Sequence, residues 1–111
     1  KLLVERGADI HLKDRLGNNA LNASLSADNP DIAKYLIQLG ADVNNINYNG
    51  VTVARQVELT LDRANPNTEF YNEFKELYDM LAERGVKFPH QHPKIVRAWM
   101  RSQGMYVIGD D

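Results

Sequence analysis

Gly7-Ala8-Asp9-Ile10 returns as Gly40-Ala41-Asp42-Val43 at an offset of 33 residues, and nothing else in the chain constrains its fold as much. The register continues on both sides: Leu3 falls on Leu36, Val4 on Ile37, Glu5 on Gln38 and Gly17 on Gly50. Self-similarity at a fixed period means one supersecondary unit stacked on copies of itself, because a single unit cannot bury its apolar face alone.

Within each copy the pattern is helical. Asn29 stands where an N-cap is wanted, Pro30 suits a first helical turn and Asp31 complements the helix dipole. Ile32, Tyr35, Leu36 and Leu39 follow at i, i+3, i+4 and i+7. Gly40 closes this helix as Gly7 closes one ending at Arg6, and residues 19–27 read as a shorter helix before it. Asp9 to Asn18 and Asn44 to Gly50 carry turn chemistry and read as projecting hairpin loops. The third unit is longer: Gly85 falls 45 residues after Gly40, which places about 12 extra residues near Leu61 to Phe70. There Val53, Val57, Leu61 and Ala64 predict a long inner helix, and Phe70, Phe74, Leu77 and Leu81 predict the core stripe of its partner. Pro93 opens a last helix, Gly104 stops it, and Met105 to Ile108 reads as a strand or extended tail.

With Asp14, Gly17, Leu21, Asp31, Ile32, Leu36, Gly40, Ala41, Asp42, Val43 and Asn44 in place, this pattern resembles the ankyrin repeat, a turn followed by two antiparallel helices. The resemblance runs clearly from residue 1 to about 60 and more weakly to Phe88. It implies an all-α fold, an ankyrin-repeat α-solenoid of helix pairs with projecting hairpin loops. Within residues 1–88, a partial first repeat would precede a full one at about 14–46 and a modified, longer one at about 47–88. Residues 89–111 would form a C-terminal capping helix and tail, with Trp99 buried against the Phe70 to Leu81 helix. The family's Thr-Pro-Leu-His stands here as Asn19-Ala20-Leu21-Asn22 and Thr52-Val53-Ala54-Arg55. The His that ties the first helix to its neighbours in the family is missing from both, so looser repeats are expected.

In ankyrin proteins the loop tips and the exposed side of the inner helices form a concave surface for other proteins. The resemblance therefore implies a non-catalytic protein–protein interaction module. The matching partner-binding positions are Lys13, Arg15, Leu16, Asn18, Ile46, Tyr48, Asn49 and Val51. Leu16, Ile46 and Tyr48 are apolar or aromatic where water is expected, and Tyr and Arg are favoured interface anchors. The alternative is an accessory or substrate-positioning end of a larger enzyme or effector whose catalytic part lies upstream.

Several function classes are disfavoured. The net charge is −2 with charges spread along the chain and no basic stripe, so nucleic acid is not the expected partner. Without cysteine there is no disulfide framework and no thiolate metal site; a cytoplasmic location is expected. Apolar runs are too short for a membrane span. No phosphate-binding glycine loop, nucleophile elbow or zinc-protease motif occurs, so no catalytic residue, cofactor or small-molecule substrate is expected. His90 and His92 are spaced as a metal pair could be, but no carboxylate neighbours them in sequence, and they read as a solvated loop between Pro89 and Pro93.

The chain opens at Lys1-Leu2-Leu3-Val4, inside what reads as a second helix with no inner partner. Further repeats before Lys1, or another chain, are expected to cover Leu2 and Leu3. Amide exchange of the monomeric chain checks this. Protection from Leu2 to Arg6 should fall well below that from Ile32 to Leu39, and equal protection would contradict the expectation.

Overall fold

The computed structural model describes residues 12–108. The helix expected from Lys1 to Arg6 with its Gly7 cap, His11, and the acidic end Asp110-Asp111 lie outside the described residues. Those described form five helices: α1 (Ala20–Ser26), α2 (Pro30–Gln38), α3 (Val53–Arg63), α4 (Glu69–Glu83) and α5 (Pro93–Ser102). The expected all-α solenoid is what forms.

Each helix starts on a polar side chain that accepts an otherwise orphaned backbone N–H. Asn29 accepts from Ile32, Thr52 from Arg55 and Thr68 from Tyr71, each cap contributing about 1 kcal/mol. Short connections return the chain on itself, so α1 pairs with α2 and α3 with α4. The pairs then stack, α1 on α3 and α2 on α4. Their shared core joins Leu21 and Leu25 of α1, Leu36 and Ile37 of α2, Val53 and Val57 of α3, and Phe74, Leu77 and Leu81 of α4. Burying one such side chain contributes about 1.5–3 kcal/mol, and this burial drives the stacking.

The extra length of the second unit goes mainly into its helices. α3 has 11 residues against 7 in α1, and α4 has 15 against 9 in α2. The first turn of α4 thus outruns α2, and Phe70 stays partly exposed with its ring 4.9 Å from that of Phe74. The rest of its stripe is buried as expected.

Two expectations are corrected. The first concerns the tie from the first helix to its neighbours, expected to be lost with the family His. Asn22 occupies that position, 1% exposed, and ties α1 to its surroundings instead. Its Oδ1 accepts from the Asn19 N–H at 3.1 Å and from Asn45 Nδ2 at 2.6 Å, while its Nδ2 donates to Gln56 Oε1 of α3 at 2.9 Å. Asn45 Nδ2 also donates to the Gly17 carbonyl at 2.9 Å, so one buried amide pair joins a helix start, the next inner helix and both hairpins. A short polar side chain can bridge here because the amide is donor and acceptor at once.

The second is the burial of Trp99 against α4. Trp99 is 51% exposed, and α5 packs on the second hairpin rather than on α4. The buried face of α5 is Pro93, Val96 and Met100, spaced i, i+3 and i+7. Ile95 and Trp99 lie roughly a quarter-turn or more round from that stripe, and a single face cannot bury both sets.

Asn22→Ala should destabilise the chain by about 1–3 kcal/mol in chemical denaturation, the cost of leaving buried polar partners unmet. A change within a few tenths of a kcal/mol would show the network to be dispensable.

Candidate protein-binding face

The two hairpin loops share one design, set by the polar residue that opens each. In the first, Asp14 Oδ1 accepts from the Leu16 and Asn18 N–H groups at 2.8 and 2.9 Å, and the Gly17 N–H donates to the Asp14 carbonyl. In the second, 33 residues on, Asn47 Oδ1 accepts from Asn49 and Val51 at 2.9 and 3.0 Å, and the Gly50 N–H donates to the Asn47 carbonyl. The turns close through Gly17 and Gly50 at φ +82° and +80°, a backbone region that L side chains resist. An isolated bridge from Ile46 to Thr52 ends the second hairpin.

Absence of a side chain at both glycines also lets a neighbour approach. A Cβ on Gly17 would sit 2.7 Å from the Tyr48 ring, and the Tyr48 N–H donates to the Leu16 carbonyl at 2.8 Å. The second loop repeats this relation with a different partner. A Cβ on Gly50 would lie 2.7 Å from the Pro93 carbonyl oxygen and 2.8 Å from Arg97 Cγ, and Arg97 Nη1 donates to the Asn49 carbonyl at 2.9 Å. Arg97 of α5 therefore stands to loop two as Tyr48 stands to loop one. The tail after α5 completes the cover: the Ile108 N–H donates to the Tyr48 carbonyl at 2.8 Å, and Tyr106 meets the Tyr48 ring edge-on at 5.0 Å.

The sequence-derived residues divide accordingly. Lys13, Arg15 and Leu16 are exposed on the first loop, Leu16 at 48%. Asn18, Ile46, Tyr48, Asn49 and Val51 are half-buried, so Ile46 and Tyr48 do not stand open to water as anticipated. Asn18 Oδ1 accepts from Asn47 Nδ2 at 3.1 Å, which joins the loops. Asn22, Asn45 and Arg97, which hold the face together, escaped the sequence reading. A missing His drew notice there, but the polar residue in its place was not read as its replacement.

The reading of His90 as a solvated loop residue is also corrected. His90 is half-buried, its Nδ1 2.9 Å from Glu58 Oε1 and its Nε2 3.3 Å from Arg55 Nη1. Arginine can only donate, so Nε2 accepts and Nδ1 carries the proton shared with Glu58. That carboxylate comes from α3, 32 residues earlier, and this distance in sequence hid it. His92 instead caps α5, accepting from the Lys94 N–H. Among the described residues no three His, Asp or Glu side chains converge as a metal site would require, and no helix is long and apolar enough to cross a membrane.

A family model described as ankyrin repeats (many copies) matches residues 1–37. The chain is 42% identical over 78 residues to human protein phosphatase 1 regulatory subunit 27, a match covering 70% of this chain and 44% of the relative. The mouse protein of that name is 52% identical over 50 residues, 45% of this chain and 32% of the relative. An ankyrin repeat protein of Acanthamoeba polyphaga mimivirus is 38% identical over 52 residues, 47% of this chain and 7% of the relative. The chain thus spans less than half the length of each of these relatives.

Two measurements test this geometry. The N–H donors of Asn18 and Leu16, the Asn18 bond foremost, hold the Asp14 carboxyl below its ordinary value of 3.8. A folded-state value lowered in this way contributes stability above pH 3.8 that is lost as pH falls through the lowered value. An NMR titration should find Asp14 titrating below 3.8. Asp14→Asn, which copies Asn47, should keep the Leu16 and Asn18 amide shifts constant across that range; an Asp14 titrating normally would contradict the loop geometry. Gly50→Ala should destabilise by more than about 1 kcal/mol through backbone strain alone and loosen α5, seen as lost protection at Ile108. An unchanged midpoint would contradict the close approach.

Proposed function

Since the chain belongs to the ankyrin-repeat family, we propose that it is a non-catalytic protein-recognition module whose partner docks on the hairpin-loop face. The observation that carries this reading is the first loop. Lys13, Arg15 and Leu16 project from a turn already held by Asp14 and Gly17, so little ordering entropy is lost when a partner binds. Asn18, Ile46, Tyr48, Asn49 and Val51 continue the face, supporting the tip residues and offering their exposed edges. An apolar Leu16 beside Arg15, with Lys13 on the same loop, suits a partner surface with an apolar depression edged by acidic groups.

Likeness to protein phosphatase 1 regulatory subunit 27 supports a finer reading, that the partner is protein phosphatase 1 and that binding modulates its activity. The test is binding of the chain to purified protein phosphatase 1, with Leu16→Ala and Arg15→Glu as variants. Both positions are exposed, so the fold should survive. Each variant should weaken binding by about 2 kcal/mol, the usual scale for an interface anchor. Unchanged affinity in both would refute the loop face, and no binding by the unaltered chain would refute the phosphatase reading.

A further inference from the structure

We propose a second docking surface, distinct from the loop tips: the groove between the second hairpin and the segment leading into α5, which takes a short extended stretch of a partner protein carrying large apolar side chains beside acidic ones. The proposal rests on the reading of the chain as a protein-recognition module and adds a site and a ligand chemistry to it.

Two adjoining depressions of about 460 and about 430 Å³ share Ile46, Thr52 and Gln91, and so form one continuous groove. One end lies by Val86 and Lys87, the other against Val96 and Trp99. Trp99 is 51% exposed and its helical neighbour Ile95 57%, an adjacent apolar pair on the open side of α5. Exposed apolar side chains massed beside a concave surface mark interaction sites in soluble proteins.

Charge selects the occupant. The even spread of charge read from the whole sequence does not hold for this part of the molecule. Between Glu83 and the acidic end Asp110-Asp111, residues 84–108 carry five basic residues, Arg84, Lys87, Lys94, Arg97 and Arg101, and no acidic one. No Asp or Glu is among the residues lining the two depressions, and Lys87 supplies the Lys or Arg charge there. The nearest carboxylates lie behind that lining: Glu58 accepts from the backbone N–H and Nδ1 of His90, and Asp42 accepts from the Asn44 N–H. Lys87, exposed at one end of the groove, thus faces an incoming segment with its charge, and Trp99 closes the other end. An apolar segment with flanking carboxylates matches both features, whereas a basic segment is repelled.

The experiment is selection of random short peptides displayed on phage against the intact chain, with fluorescence of Trp99, the only tryptophan, as the binding signal. Selected peptides should combine large apolar residues with Asp or Glu, and should shift the Trp99 emission to shorter wavelength. Trp99→Ala, followed by competition because the signal is lost, should weaken binding about tenfold or more. Lys87→Glu, an exposed substitution, should also weaken it and remove its salt dependence. Peptides lacking acidic residues, or binding indifferent to Trp99→Ala and Lys87→Glu, would overturn the proposal. So would binding to phosphatidylserine vesicles in place of peptides, which would make this face a membrane contact. Leu16→Ala should leave peptide binding intact. Loss of phosphatase binding through Leu16 with no peptide selected sinks the groove and spares the loop reading, and the converse result does the opposite.

Discussion

The buried side-chain amide of Asn22 is the interaction on which the loop face depends. α1 has only seven residues, too few to persist as a helix without tertiary support. Its start is fixed by the reciprocal cap between Asn19 and Asn22, and the same Asn22 then reaches Gln56 in the next unit and Asn45 in the next loop. A buried amide is costly when unmet and specific when satisfied. Here the directional bonds to Gln56 and Asn45 set the distance between consecutive units, and the apolar core fills the space behind them. Apolar packing alone would tolerate sliding, whereas an amide pair with one partner on each side does not.

The two loops are covered in parallel ways. At loop one, Tyr48 of the following loop covers Gly17 and takes the Leu16 carbonyl; at loop two, Arg97 of α5 covers Gly50 and takes the Asn49 carbonyl. α5 thus meets at loop two the backbone groups that Tyr48 meets at loop one, with a side chain where loop two uses a backbone N–H. This explains why α5 lies on the hairpin rather than on α4. It also explains why the second loop is half-buried while the first remains open, and why Ile95 and Trp99 are left facing solvent.

Much of the fold was legible because local rules and tertiary structure agree. The cap at Asn29, the proline starts at Pro30 and Pro93, and the Phe74, Leu77 and Leu81 stripe obey spacing rules that need only a few neighbouring residues. The site was legible only in part. Lys13, Arg15 and Leu16 follow from the turn that carries them, but the cover over Tyr48 comes from Tyr106 and Ile108, almost sixty residues away. Trp99 was misplaced because a ten-residue helix with apolar groups on two faces offers no internal signal of which face is buried. Glu58 and His90 meet for reasons no local pattern contains.

The central claim is that buried asparagines hold the hairpins as a preformed face. Amide exchange at Tyr48, whose N–H bridges to the Leu16 carbonyl, tests it most directly when the unaltered chain is compared with Asn45→Ala. The account predicts a slow Tyr48 amide in the unaltered chain. In the variant it should exchange much faster, while the amides of α2 and α4 keep their protection. A Tyr48 amide that exchanges freely in the unaltered chain, or stays equally protected without the Asn45 side chain, would contradict it.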